Sequence, residues 1–135
     1  MGDPTPMPVP DKIGECLIRA RTQCPEADLS GADLGAATVA GHPSREAADL
    51  SGANLRETNL TGAKLARAKL EGADLTDAIL RGAALQSSFL YQANLSGADL
   101  TNAVFTFADM EDVILDGAIF CNTVMDDGSI RNDDC

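Results

Sequence analysis

From Ala48 to Ile130 a large apolar residue returns at every fifth position without a slip. The series is Leu50, Leu55, Leu60, Leu65, Leu70, Leu75, Leu80, Leu85, Leu90, Leu95, Leu100, Phe105, Met110, Leu115, Phe120, Met125 and Ile130. The residue two before each is small and usually Ala, with Thr58, Ser88, Val113, Thr123 and Gly128 as the departures. A period of five suits neither regular element. A helix would spread the leucines around its circumference at about 100° per residue, and a flat strand would send successive ones to opposite faces. The chain must therefore turn once per unit: a short extended segment with two inward residues, then a corner. Units of this kind bury nothing alone and have to stack on their neighbours, which predicts a solenoid. Outward residues such as Thr76 are expected to carry no packing demand.

Units such as Ala27-Asp28-Leu29-Ser30-Gly31 and Ala53-Asn54-Leu55-Arg56-Glu57 resemble those of the pentapeptide-repeat proteins, and the resemblance runs from Ala27 to the C-terminus. It implies an all-β solenoid, a right-handed quadrilateral β-helix with four units per coil and about five coils. At about 4.8 Å per coil the rod would be roughly 25 Å long. Residues 25–130 are assigned to this domain. Adding twenty to a residue number gives its neighbour in the next coil, which places Leu50, Leu70, Leu90, Met110 and Ile130 on one face. Between Val39 and Leu50 the register breaks by one residue, so Ala40 to Arg45 is expected to form a bulge or small loop.

Before the repeats, residues 1–10 hold Pro4, Pro6, Pro8 and Pro10 and are expected to be extended and flexible. Residues 11–24 predict a short capping α-helix over the open end of the solenoid, with Asp11 as N-cap and Ile13, Cys16, Leu17 and Ala20 as its apolar stripe. Residues 131–135 form a C-terminal tail. No apolar run follows Met1-Gly2, so the N-terminus does not read as a signal peptide. The chain is expected to be cytoplasmic, or to be a thylakoid-lumen or periplasmic protein already trimmed of its signal.

Four cysteines form an N-terminal pair, Cys16 and Cys24, and a C-terminal pair, Cys121 and Cys135. Their even number at the two ends points to disulfides that staple the caps, and so to an oxidising compartment. Free buried thiols are the alternative. Within one helix Cys16 and Cys24 would lie about 12 Å apart, too far to bridge, so the helix would have to end near Thr22. No zinc-like spacing accompanies the cysteines, and His42, the single histidine, has no partner at a motif spacing. No metal and no cofactor is expected.

The net charge is −11 over 135 residues, which argues against direct nucleic-acid binding, since phosphates need clustered Lys and Arg. The charge is uneven. Arg56, Lys64, Arg67 and Lys69 match the acids of the first repeats, whereas Asp109, Glu111, Asp112, Asp116, Asp126, Asp127, Asp133 and Asp134 face Arg131 alone. A tube filled with Leu and Ala offers no internal pocket and no acid/base or nucleophilic constellation, so no enzyme activity is expected. No membrane insertion is expected either.

Phe89 and Tyr91 bracket Leu90, and Phe107 stands at the neighbouring corner one coil on, all three where the repeat expects polar residues. Aromatics clustered on the outside mark a partner surface. The sequence thus predicts a monomeric, non-catalytic interaction or scaffold protein with an unidentified protein partner. The alternative implied by the resemblance is an acidic DNA mimic that binds or protects DNA gyrase or another topoisomerase.

Overall fold

The computed structural model describes residues 12–13, 16–17, 21–24, 26–32 and 47–135. From Ala48 onward the chain winds as a four-sided tube in which residues twenty apart lie side by side. One ladder runs Asp49, Lys69, Phe89, Asp109, and another runs Asn54, Asp74, Asn94, Ile114, all in parallel register. From Leu55 to Phe105 each inward large residue donates its N–H one coil forward, as Leu70 does to the carbonyl of Phe89 at 2.8 Å, and the residue before it donates one coil back, as Lys69 does to Ala48 at 3.0 Å. The ladders therefore satisfy the backbone between coils, while Leu50 through Leu100, Phe105 and the alanines two positions before them fill the bore at 0–3 % exposure.

The corners have one recurrent form. The N–H of each small inward residue donates to the carbonyl three residues back, as Ala73 does to Leu70 at 3.0 Å. The residue between them, Gly72 here, sits at φ 68°. A four-residue turn with positive φ at its third position is the type II pattern, which favours Gly or Asn there. At Gly97 a side chain would in addition run into the carboxylate of Asp77 in the preceding coil.

Three of the five small-residue departures are explained by hydrogen bonding. Thr58 and Ser88 are fully buried, and their hydroxyls donate to the carbonyls of Leu55 at 2.6 Å and Leu85 at 2.7 Å; Thr123 donates to Leu100 at 2.7 Å. Outward Asp and Asn residues are also engaged. Asp74 Oδ1 accepts from the Thr76 N–H at 3.1 Å and from its hydroxyl at 2.6 Å, and Asn59–Thr61, Asn94–Ser96 and Asp99–Thr101 repeat the motif. Thr76 is thus a corner-forming residue and not a silent one.

Three further expectations are corrected. First, the N-terminal segment is not a capping helix: β1 (Lys12–Ile13) pairs antiparallel with β2 (Cys16–Leu17). A helix this short is marginal without tertiary support, and a Gly in its sequence, Gly14, would weaken it by about 1 kcal/mol. Arg21 to Cys24 already belong to the solenoid, where Cys24, buried in a Leu position, donates its N–H to Asn54 at 2.9 Å.

Second, Leu29 lies under Leu60, since its N–H donates to the carbonyl of Asn59 at 2.7 Å and Asp28 bridges to Asn59. That offset exceeds one coil by eleven residues, not one. A count of fives cannot tell one skipped residue from one skipped residue plus two whole units, since both shift the register by one. Ala40 to Arg45, with His42, lie outside the described residues, as do residues 1–10.

Third, Ile130 is not an inward member of the series. It is 58 % exposed and belongs to β4 (Ile130–Arg131), which turns back antiparallel to β3 (Thr123–Val124). Asp127-Gly128 makes the reversal, with Gly128 at φ 85° and Asp127 accepting from the N–H and hydroxyl of Ser129, as Asp-Gly sequences do in hairpins. The tail then crosses the end of the tube. Asp134 bonds Phe120 through both its N–H and its carboxylate, and a disulfide joins Cys121 to Cys135 with their Cα atoms 5.3 Å apart.

Candidate protein-binding face

Three aromatic side chains point away from the bore on and beside the ladder that carries Leu70 and Leu90. Phe89 occupies the outward centre of its segment, between Lys69 and Asp109, and is 43 % exposed. Tyr91 follows at the corner, 38 % exposed, with its carbonyl accepting from Gly72. Phe107 stands in the next coil, in the corner column of Arg67 and Ser87, and is 82 % exposed. The period of twenty thus brings the sequence-predicted residues to one side of the rod, Phe89 and Tyr91 in one coil and Phe107 in the following one.

The sequence reading missed the backbone of Phe107. It lies at φ 62°, in the left-handed region that costs a side chain with a Cβ on the order of 1 kcal/mol. The clue was present: Phe107 falls a multiple of five from Gly52, Gly62, Gly72, Gly82, Gly97 and Gly117, and so occupies a glycine-type position. A large aromatic here, 82 % exposed, gains little from packing within the chain and bears a conformational cost.

The charges around the face are asymmetric. Toward the N-terminus lie Arg67, Lys69 and Glu71. Toward the C-terminus lie Asp109 and Glu111, whose carbonyls accept from Leu90 and Gln92, and Asp126, whose carbonyl accepts from Phe107. The ion pairs among the described residues lie elsewhere: Arg56–Asp74 at 3.3 Å, Arg81–Asp99 at 3.2 Å, and Arg131–Asp133. Hydrogen bonds from Ser129 hold the Asp127 carboxyl below its usual range. Other outward apolar residues, Ile79, Ile114 and Ile119, sit in ladders on different faces, and Val104 pairs with Val124.

Of the cysteines, Cys121 and Cys135 are joined as expected. Cys24 is also disulfide-bonded, while the side chain of its expected partner, Cys16, lies outside the described residues. Among the described residues no group of His, Cys, Asp and Glu is placed to hold a metal ion, and no helix is long and apolar enough to cross a membrane.

The profile of the pentapeptide repeats matches residues 46–82 and 78–117, more than half of the chain. The chain belongs to the pentapeptide-repeat family. Its stacked ladders are accordingly those of a right-handed β-helix. Comparison with curated proteins finds no match. Among solved structures, HetL, a pentapeptide repeat protein involved in heterocyst differentiation regulation from the cyanobacterium Nostoc, is 32 % identical over 83 % of this chain, with a TM-score of 0.39. The match covers 50 % of HetL, so the chain spans half the length of that relative. A pentapeptide repeat protein from the Arabidopsis thaliana thylakoid lumen is 29 % identical over 78 % of this chain and 70 % of its own, with a TM-score of 0.44. The plasmid-mediated fluoroquinolone resistance protein QnrB1 is 15 % identical over 79 % of this chain and 64 % of its own, with a TM-score of 0.49.

Proposed function

We propose that this pentapeptide-repeat protein is a non-catalytic interaction scaffold whose recognition face is formed by Phe89, Tyr91 and Phe107. The observation that carries this is Phe107, an aromatic ring 82 % exposed on a left-handed corner. Neither the hydrophobic effect nor backbone preference within the chain favours Phe at that position, whereas burial against a partner would. The bore is filled by side chains, which leaves the outer faces as the place for binding. The two disulfide-bonded ends fit an oxidising compartment such as a thylakoid lumen or a periplasm.

The test is a photo-crosslinking residue placed at position 91 and, separately, at position 119 on another face, in the native host. A discrete heterologous adduct from position 91 alone, lost when Phe89 and Phe107 are changed to Ser, is the expected result. The same double change should leave the melting temperature nearly unmoved. Loss of many degrees with the adduct retained would make the rings structural and overturn the proposal.

A further inference from the structure

We infer that the occupant of this face is an arginine-bearing polypeptide segment, its guanidinium groups stacked on the aromatic rings and held by the carboxylates beside them; this rests on the interaction-face proposal above. Three features of the molecule carry it. The rings offer flat, exposed π surfaces, Phe107 above all. On their C-terminal side stand Asp109, Glu111, Asp126 and Asp127, exposed, and among the described residues no ion pair reaches any of them. A partner that meets this border must bring positive charge, or four carboxylates would be desolvated without compensation.

The third feature is that the chain makes the same arrangement within itself. Arg131 lies with its guanidinium carbon 3.6 Å from the centroid of the Phe120 ring, while its Nε and Nη2 donate to the two carboxylate oxygens of Asp133. Ring, guanidinium and carboxylate form one unit at the C-terminal end of the rod. At the outer face two of the three parts are present and the cation is the part a partner would bring. Arginine suits the position better than lysine, because a planar guanidinium stacks on a ring while its edge still donates to a carboxylate.

The probe is a short capped peptide with arginines alternating with leucine and serine, labelled for fluorescence anisotropy and measured against the full chain at about 0.15 M salt. Two further peptides replace every arginine by lysine or by citrulline, the uncharged isostere. The Arg peptide should bind, the Lys peptide more weakly, and the citrulline peptide not measurably. Phe107→Asn together with Tyr91→Ser should lower affinity at least about tenfold, as expected for hot-spot rings, although the net charge is unchanged. Phe107→Asn alone should hold or raise the melting temperature, because Asn tolerates the left-handed corner.

Asp109→Asn with Glu111→Gln should weaken binding. Asp77→Asn with Asp116→Asn, an equal change of charge elsewhere on the rod, should not. The inference is overturned if the ring variants bind like the parent, if the two charge variants lose binding equally, or if the Arg peptide does not bind at all. In the last case a crosslink from position 91 would still leave the face as an interaction surface and would sink only its preference for arginine.

Discussion

At the scale of single residues the decisive distinction is between the two inward positions and the three outward ones. Leu85 is fully buried, with no route by which a charge placed there could reach water. Leu85→Asp should therefore cost several kcal/mol and unfold the rod. Gln86, its outward neighbour, makes no side-chain hydrogen bond within the described residues, so Gln86→Asp should move the melting temperature little. Matching melting curves for the two variants would contradict the inward register. Not every outward site is so permissive. Thr76 and Thr101 donate hydroxyl hydrogen bonds of 2.6 Å to Asp74 and Asp99, each worth about 1 kcal/mol.

At the scale of the element, corners and closing segments set how the coils respond to conditions. Burial opposes ionisation of Asp74 and Asp99, but hydrogen bonds from Thr76 and Arg56, and from Thr101 and Arg81, outweigh it and hold both carboxyls below the ordinary value of 3.8. A carboxylate depressed in the folded state contributes stability above its unfolded pKa, and that contribution is lost as the pH falls through the folded value. Stability should thus decline below about pH 4, and Thr76→Val with Thr101→Val should flatten that decline in a melting series. Glu57 acts in the opposite sense. A side-chain hydrogen bond shared with Glu26, and repulsion from it, raise the Glu57 pKa above 4.5, so its contribution is full below 4.5 and is lost as the pH rises through the folded value.

The C-terminal closure is likewise a property of the element. Cys121 and Cys135 are separated by 14 residues, a loop whose cross-linking is worth about 3 kcal/mol in the chain-entropy picture. Cys135→Ser should lower the melting temperature of the oxidised protein, and reduction of the parent, which also opens the bond at Cys24, should lower it further. Thiol titration of unreduced, denatured protein should find neither cysteine free; two reactive thiols there would refute the closure.

At the scale of the whole molecule the distribution of charge decides what kind of surface the rod presents. A duplex carries one negative charge per about 1.7 Å of axis. Here Arg56, Lys64, Arg67, Lys69 and Arg81 offset Glu57, Glu71, Asp74 and Asp77 in the middle of the rod, and the acids gather toward one end. The protein is accordingly expected not to inhibit DNA supercoiling by gyrase at micromolar concentration. Inhibition in that assay would favour the DNA-mimic alternative over the aromatic-face proposal.

Much of this was legible along the chain, because a repeat buries its residues by local rules. The period of five marks Leu50 to Met125 as inward, and the period of twenty brings Phe89 and Tyr91 to the side where Phe107 follows. The rest depended on backbone pairing between distant residues. Leu29 joins Leu60 because strand edges seek hydrogen bonds across an interruption whose length a pattern does not encode. The N-terminal segment pairs as strands although its apolar spacing also fits a helix, since so short a helix has little stability of its own. Ile130 keeps the period in sequence and leaves it in space, because Asp127-Gly128 reverses the chain. The left-handed conformation of Phe107 likewise follows from its place in the turn. The periodic order of residues determined the inside of this protein and the glycine-type position of its exposed ring, whereas its ends were decided by backbone pairing that a local pattern does not encode.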